Sequence, residues 1–140
     1  MWTIIKFNPK KLQLMKKEIS SKLENETIYY GPKILIQYYA KNKLQSKEFK
    51  LLGDYIFCYN KNFSKKNSYE KIKFSRGLKY ILSGCFLFQN DIRRFIKLCK
   101  NHENKSGYVE TDFLNLTQNK KYKFLSGPFT NKIFEVIGIQ

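Results

Sequence analysis

The chain reads as an α+β protein: a sandwich built on a mostly antiparallel sheet flanked by helices, followed by a partial β-hairpin. Three observations lead there. Short runs rich in β-branched and aromatic residues recur along the sequence, only two segments carry helical periodicity, and glycine or proline punctuation separates the runs. Strands that are not regularly alternated with helices favour antiparallel pairing over a doubly wound parallel sheet. With 42% apolar and 16% aromatic residues in 140, the chain can bury one real core.

Residues 2–7, WTIIKF, open as a strand and stop at Asn8-Pro9, where asparagine can cap a helix and proline fits its first turn. Leu12, Met15, Ile19 and Leu23 then recur at steps of three and four among Lys10, Lys11, Lys16, Lys17 and Lys22, giving an amphipathic helix with a basic outer side that ends near Asn25. After Gly31-Pro32, KILIQYYA reads as a strand, and Lys41 to Lys50 as a lysine-rich connection. DYIFCY is a strand covered on both faces, and so central in its sheet. NKNFSKKNSYEK is a polar, mobile loop by composition; Gly77 marks a turn and LKYIL a short strand. Asn90 or Asp91 can cap a second helix, with Ile92, Phe95, Ile96 and Cys99 on its inner face.

Residues 101–118 are polar and without sustained periodicity, so an interdomain connection is placed there and the domain boundary near residue 110. The two units are then 1–110 and 111–140, the second containing the strand-like runs YKFL and IFEVIGI joined at Gly127-Pro128.

The chemistry of the chain is dominated by charge. Twenty-seven Lys+Arg against 11 Asp+Glu give a formal net charge of +16, almost all of it lysine. Lysine interleaved with Tyr and Phe is the composition of a surface that follows a phosphate backbone and stacks exposed bases. Catalytic signatures are missing: the sequence holds no phosphate-binding glycine loop, no nucleophile elbow and no paired-carboxylate motif, so an enzyme is not expected, nor any cofactor or metal. His102 lies in a polar stretch, where a solvated side chain is expected. Cys58, Cys85 and Cys99 are odd in number and widely spaced, which fits reduced thiols, buried at Cys58 and Cys99, in a cytoplasmic protein. No run approaches the roughly 18 apolar residues of a membrane span, and the amino terminus has its charges after its apolar run, the reverse of a signal peptide; neither secretion nor membrane insertion is expected.

Two parts of the chain resemble one family. YKFLSGPFTNKIFEVIGI, with Gly127, Pro128 and Phe129 between two β runs, looks like the start of a KOW motif. The preceding part is similar to the NGN domain of NusG-type transcription elongation and antitermination factors, which include the paralogue RfaH. The likeness rests on Trp2 opening the first strand, the helix directly after it, KLLGDYIFCY, RGLKYILSG and QNDIRRFIKL, in that order. It departs from the family where Phe-Pro-Gly-Tyr is replaced by Leu52-Gly53-Asp54-Tyr55, and where Phe134 stands for a second KOW glycine.

The resemblance implies a cytoplasmic factor, nucleoid-associated through RNA polymerase, rather than a catalyst. It would act as a monomer, binding the clamp helices of the largest catalytic subunit of RNA polymerase through a hydrophobic cavity that includes Ile4, Tyr55 and Phe57. It further implies a basic edge, here Lys10, Lys11, Arg76 and Lys79, that faces non-template DNA or nascent RNA. The family's contacts with Rho and with a ribosomal protein need a complete KOW barrel, and the segment here falls short of its five strands, so those contacts are not expected. The alternative is a KOW-containing RNA-binding protein of ribosomal or translational type.

Overall fold

The computed structural model describes residues 1–65 and 67–110. The elements run β1 (Trp2–Phe7), α1 (Leu12–Lys22), β2 (Ile28–Tyr30), β3 (Lys33–Ala40), β4 (Lys43–Lys50), β5 (Tyr55–Tyr59), α2 (Ser68–Ile72), β6 (Leu78–Ile81) and α3 (Gln89–Asn101). One sheet has the order β2-β5-β1-β6 with every pair antiparallel, and β3 and β4 form a separate two-stranded ribbon. The fold is therefore α+β with antiparallel sheets. Among the described residues no helix is long and apolar enough to cross a membrane.

Period-two alternation sorts the sheet's two faces. Ile5, Phe7, Ile56 and Cys58 point to one side, where Met15 and Ile19 of α1 and Ile72 of α2 cover them. Ile4 and Phe57 point to the other, beneath Ile92, Phe95, Ile96 and Cys99 of α3. The central strand β5 is thus buried from both faces, as its unbroken apolar run requires. Phe57 touches Phe95 with ring centroids 5.9 Å apart and stacks at 6.5 Å on Tyr30, so this aromatic set ties three elements together.

The punctuation residues act as expected. The Asn8 side chain accepts from the Lys10 amide, and Pro9 begins the short 3-10 turn (Pro9–Lys11) that leads into α1. Gly77 has φ 87°, and a Cβ there would lie 2.7 Å from the Lys11 carbonyl oxygen, so both conformation and close packing require glycine.

Four local expectations are corrected. Lys43–Lys50 is a strand and not a connection: Lys41 and Asn42, at φ 53° and 60°, make a tight turn that pairs it with β3 over its whole length. Its residues are exposed on both faces, so no alternation of polar and apolar residues marked it. Second, the polar stretch after Asn60 is ordered into a 3-10 turn (Lys61–Ser64) and the helix α2, because Phe63 and Ile72 are buried. Fully buried Asn60 organises its start, donating to the Asn25 carbonyl and the Thr27 hydroxyl and accepting from the Asn62 amide. Third, the stretch between Asn25 and Gly31, read without any element, holds β2, a three-residue edge strand too short to show a pattern. Fourth, α3 begins at Gln89, so Asn90 and Asp91 lie in its first turn instead of capping it; Gln89 bonds both ways with the backbone of Trp2.

Of the polar stretch read as a connection, residues 102–110 fold back as a strap. Val109 is buried, its amide donates to the Lys33 carbonyl at 2.8 Å, and the Tyr108 hydroxyl donates to Glu48 at 3.1 Å.

Candidate functional site

The residues expected to form a hydrophobic cavity lie in two adjacent rows on the α3 face of the sheet. Ile4 and Phe57 are register partners, both fully buried under α3. They supply the packed floor, with no side-chain surface open to a partner. One row on, Lys6 pairs with Tyr55 on one side and Tyr80 on the other. This row borders the buried cluster, with Tyr55 half-buried against it: the Lys6 ammonium lies 4.5 Å from the centre of the Tyr55 ring, the Tyr55 and Tyr80 rings meet edge-on at 6.1 Å, and their hydroxyls hydrogen-bond. Of the three expected residues, Tyr55 is the one at the surface. Burial, reinforced by the bond to Tyr80, pushes its phenol up to about 12, so it stays neutral at physiological pH.

Tyr80 leads from this row into an open groove of about 530 Å³. The groove follows β6, whose outer edge has no partner strand among the described residues, and its walls include Phe74, Leu82 and Phe86. Phe74 is 84% exposed and Phe86 72%, and Leu87, next along the chain, is 77% exposed. An isolated exposed aromatic is ordinary; several around one groove mark a binding surface. Reading the sequence missed the groove that Phe74, Leu82 and Phe86 help to wall; Phe86 lies in GCFLF, an apolar segment without periodicity, and Phe74 and Leu82 lie in separate segments before it.

The basic residues group in part. The turn at Gly77 packs on the backbone of Lys11, and the Asn8 amide donates to the Gly77 carbonyl, so Lys10, Lys11 and Arg76 belong to one rim. Arg76 is already engaged: its guanidinium and its backbone amide both donate to Glu18, which holds that carboxyl below the usual carboxylate range. Lys79 lines the groove wall instead.

The remaining reactive side chains have structural surroundings. All three cysteines are free and buried, and burial raises each thiol, Cys58 to about 12, which suppresses the nucleophilic thiolate. The His102 ring meets the Leu98 carbonyl at 2.9 Å at the end of α3. Gly127, Pro128 and Phe129 lie outside the described residues. The chain matches no protein-family model and no curated protein.

Proposed function

We propose that the chain is a NusG-type transcription elongation or antitermination factor, a non-enzymatic clamp that binds RNA polymerase at the clamp helices and modulates pausing or termination. One observation carries the reading: the open apolar groove along β6, joined through Tyr80 to Tyr55, on a sheet whose floor of Ile4 and Phe57 is rigidly packed. A groove with projecting aromatic side chains suits the apolar face of a helix tip, with the aromatics as anchors. The order of elements also agrees with the sequence likeness: a strand opened by Trp2, then α1, the central strand β5 and a final helix across one face.

The mechanism is differential binding. A factor that holds the closed, elongating polymerase more tightly than the paused form shifts the population toward elongation by that affinity difference.

The test is co-purification of the tagged full chain with RNA polymerase at moderate salt, beside a Tyr55→Ala, Phe86→Ala variant checked for folding by its melting transition. Phe57 is left intact because its removal would disturb the core. Retention of the wild type and loss by the folded variant is the expected result. A folded wild type that is not retained overturns the proposal.

A further inference from the structure

The ribbon plays no part in the polymerase reading, and the cleft at its root shares only Tyr55 with it; ribbon and cleft form one continuous surface. Register places Tyr39 with Leu44, Gln37 with Ser46, Leu35 with Glu48, and Lys33 with Lys50 along one face. At the tip Tyr39 is 79% exposed and Leu44 56%, a cross-strand pair that nothing among the described residues covers. At the root the same face runs into a cleft of about 260 Å³ lined by Lys33, Lys50 and, from α1, Lys16, with Phe7, Tyr29 and Tyr55 among its walls. Glu48, the carboxylate in the cleft lining, is already engaged by the Lys33 ammonium at 3.3 Å and by the Tyr108 hydroxyl, which keep it ionised and neutralised. From Tyr39 to Lys33 the track is about 20 Å at the usual rise of a strand.

We propose that this face binds single-stranded RNA, with bases on the Tyr39–Leu44 tip and phosphates over Lys50 and Lys16 at the root. The charge argument is direct: in a chain of net charge +16 this cleft gathers three lysines against one carboxylate, and with Lys33 paired to Glu48 the other two leave it positive, where a phosphate backbone is the complementary ligand. An exposed aromatic beside a lysine track takes unpaired bases, since each base presents a stacking face only when it is out of the duplex. Halfway along, Gln37 and Ser46 are exposed register partners whose side-chain amide and hydroxyl are suited to bond a 2′-hydroxyl, the group that separates RNA from DNA. The inference needs no polymerase and stands independently of the function proposed above.

The experiment is fluorescence anisotropy of a labelled oligouridine of about twelve nucleotides with the full chain over a series of salt concentrations. Tyr39→Ala, an exposed position whose replacement leaves the fold intact, is expected to weaken binding about ten-fold. A Lys16→Gln, Lys50→Gln variant is expected to reduce the slope of log affinity against log salt by about 1.4. Oligodeoxythymidine of equal length and duplex RNA are expected to bind more weakly. Unchanged affinity in Tyr39→Ala, an unchanged salt slope in the lysine variant, DNA or duplex binding as tight as the oligouridine, or no RNA binding by the folded chain would each overturn the proposal.

Discussion

The sheet strand β5 and the ribbon strand β3 are built from the same kinds of residue, and their surroundings are opposite. YIFCY buries its three central side chains between α1 and α2 on one face and α3 on the other. KILIQYYA buries only Ile34, and every residue from Leu35 to Tyr39 and from Lys41 to Glu48 is exposed. Apolar content alone therefore does not place a strand in the core; what decides is whether a helix returns to cover it. Among the described residues no helix covers the ribbon, which draws its stability from its root, where Ile34, Leu51 and Leu52 are buried in the α3 cluster and Phe49 packs against them. A two-stranded hairpin is marginal by itself, and the exposed apolar side chains on its outer length add little to its stability.

Truncation gives the largest expected difference between the two regions. Phe57→Ala removes a fully buried ring from contact with Phe95 and Tyr30, and a loss of about 3–5 kcal/mol is expected in chemical denaturation. Leu44→Ala on the ribbon is expected to stay within about 0.5 kcal/mol. Comparable losses at both sites would break the distinction between a covered and an uncovered strand.

Backbone turns sharpen the same contrast. Gly77→Ala strains a φ of 87° and drives a methyl group against the Lys11 carbonyl, so a cost of about 2 kcal/mol is expected. Asn42→Gly, at φ 60° in the open turn of the ribbon, is expected to stabilise by about 0.5 kcal/mol, because glycine adopts that conformation freely. Thermal melts of the two variants, shifting in opposite directions, would bear this out; equal signs would refute it.

The smallest effect concerns the surface ion pair between Glu18 and Arg76. Arg76 depresses the carboxyl's pKa in the folded state, so the stability it adds is present above the ordinary carboxylate pKa and is lost as pH falls through the folded value. Wild type and Glu18→Gln should differ in stability at about pH 7 and converge in acid. A difference that persists in acid would show that Glu18 acts through packing instead of charge.

Much of the sheet was legible because burial writes period two or period 3.6 into a sequence. β3 and β6 were legible from their β-branched and aromatic residues, whereas β1, β5 and the inner faces of α1 and α3 carry the imprint of burial. β4 lacks it, since KLQSKEFK is exposed almost throughout and its pairing depends on the backbone turn at Lys41-Asn42. The ordered stretch after Asn60 was hidden for another reason: a buried polar residue with satisfied hydrogen bonds looks in sequence like any loop asparagine. Of the site, Tyr55 was legible as an aromatic on a central strand, and the groove was not, because Phe74 and Phe86 come together only when β6 and the turns flanking it are folded.

The bond from the Val109 amide to the Lys33 carbonyl has a mechanical side. It fastens the strap to the first residue of the ribbon, so the chain leaves the described body at Glu110 next to the ribbon's root. The ribbon follows β2, one edge of the sheet, while the groove follows β6, the other. The point from which the chain continues is therefore anchored at the ribbon's edge of the sheet, the width of the sheet away from the groove.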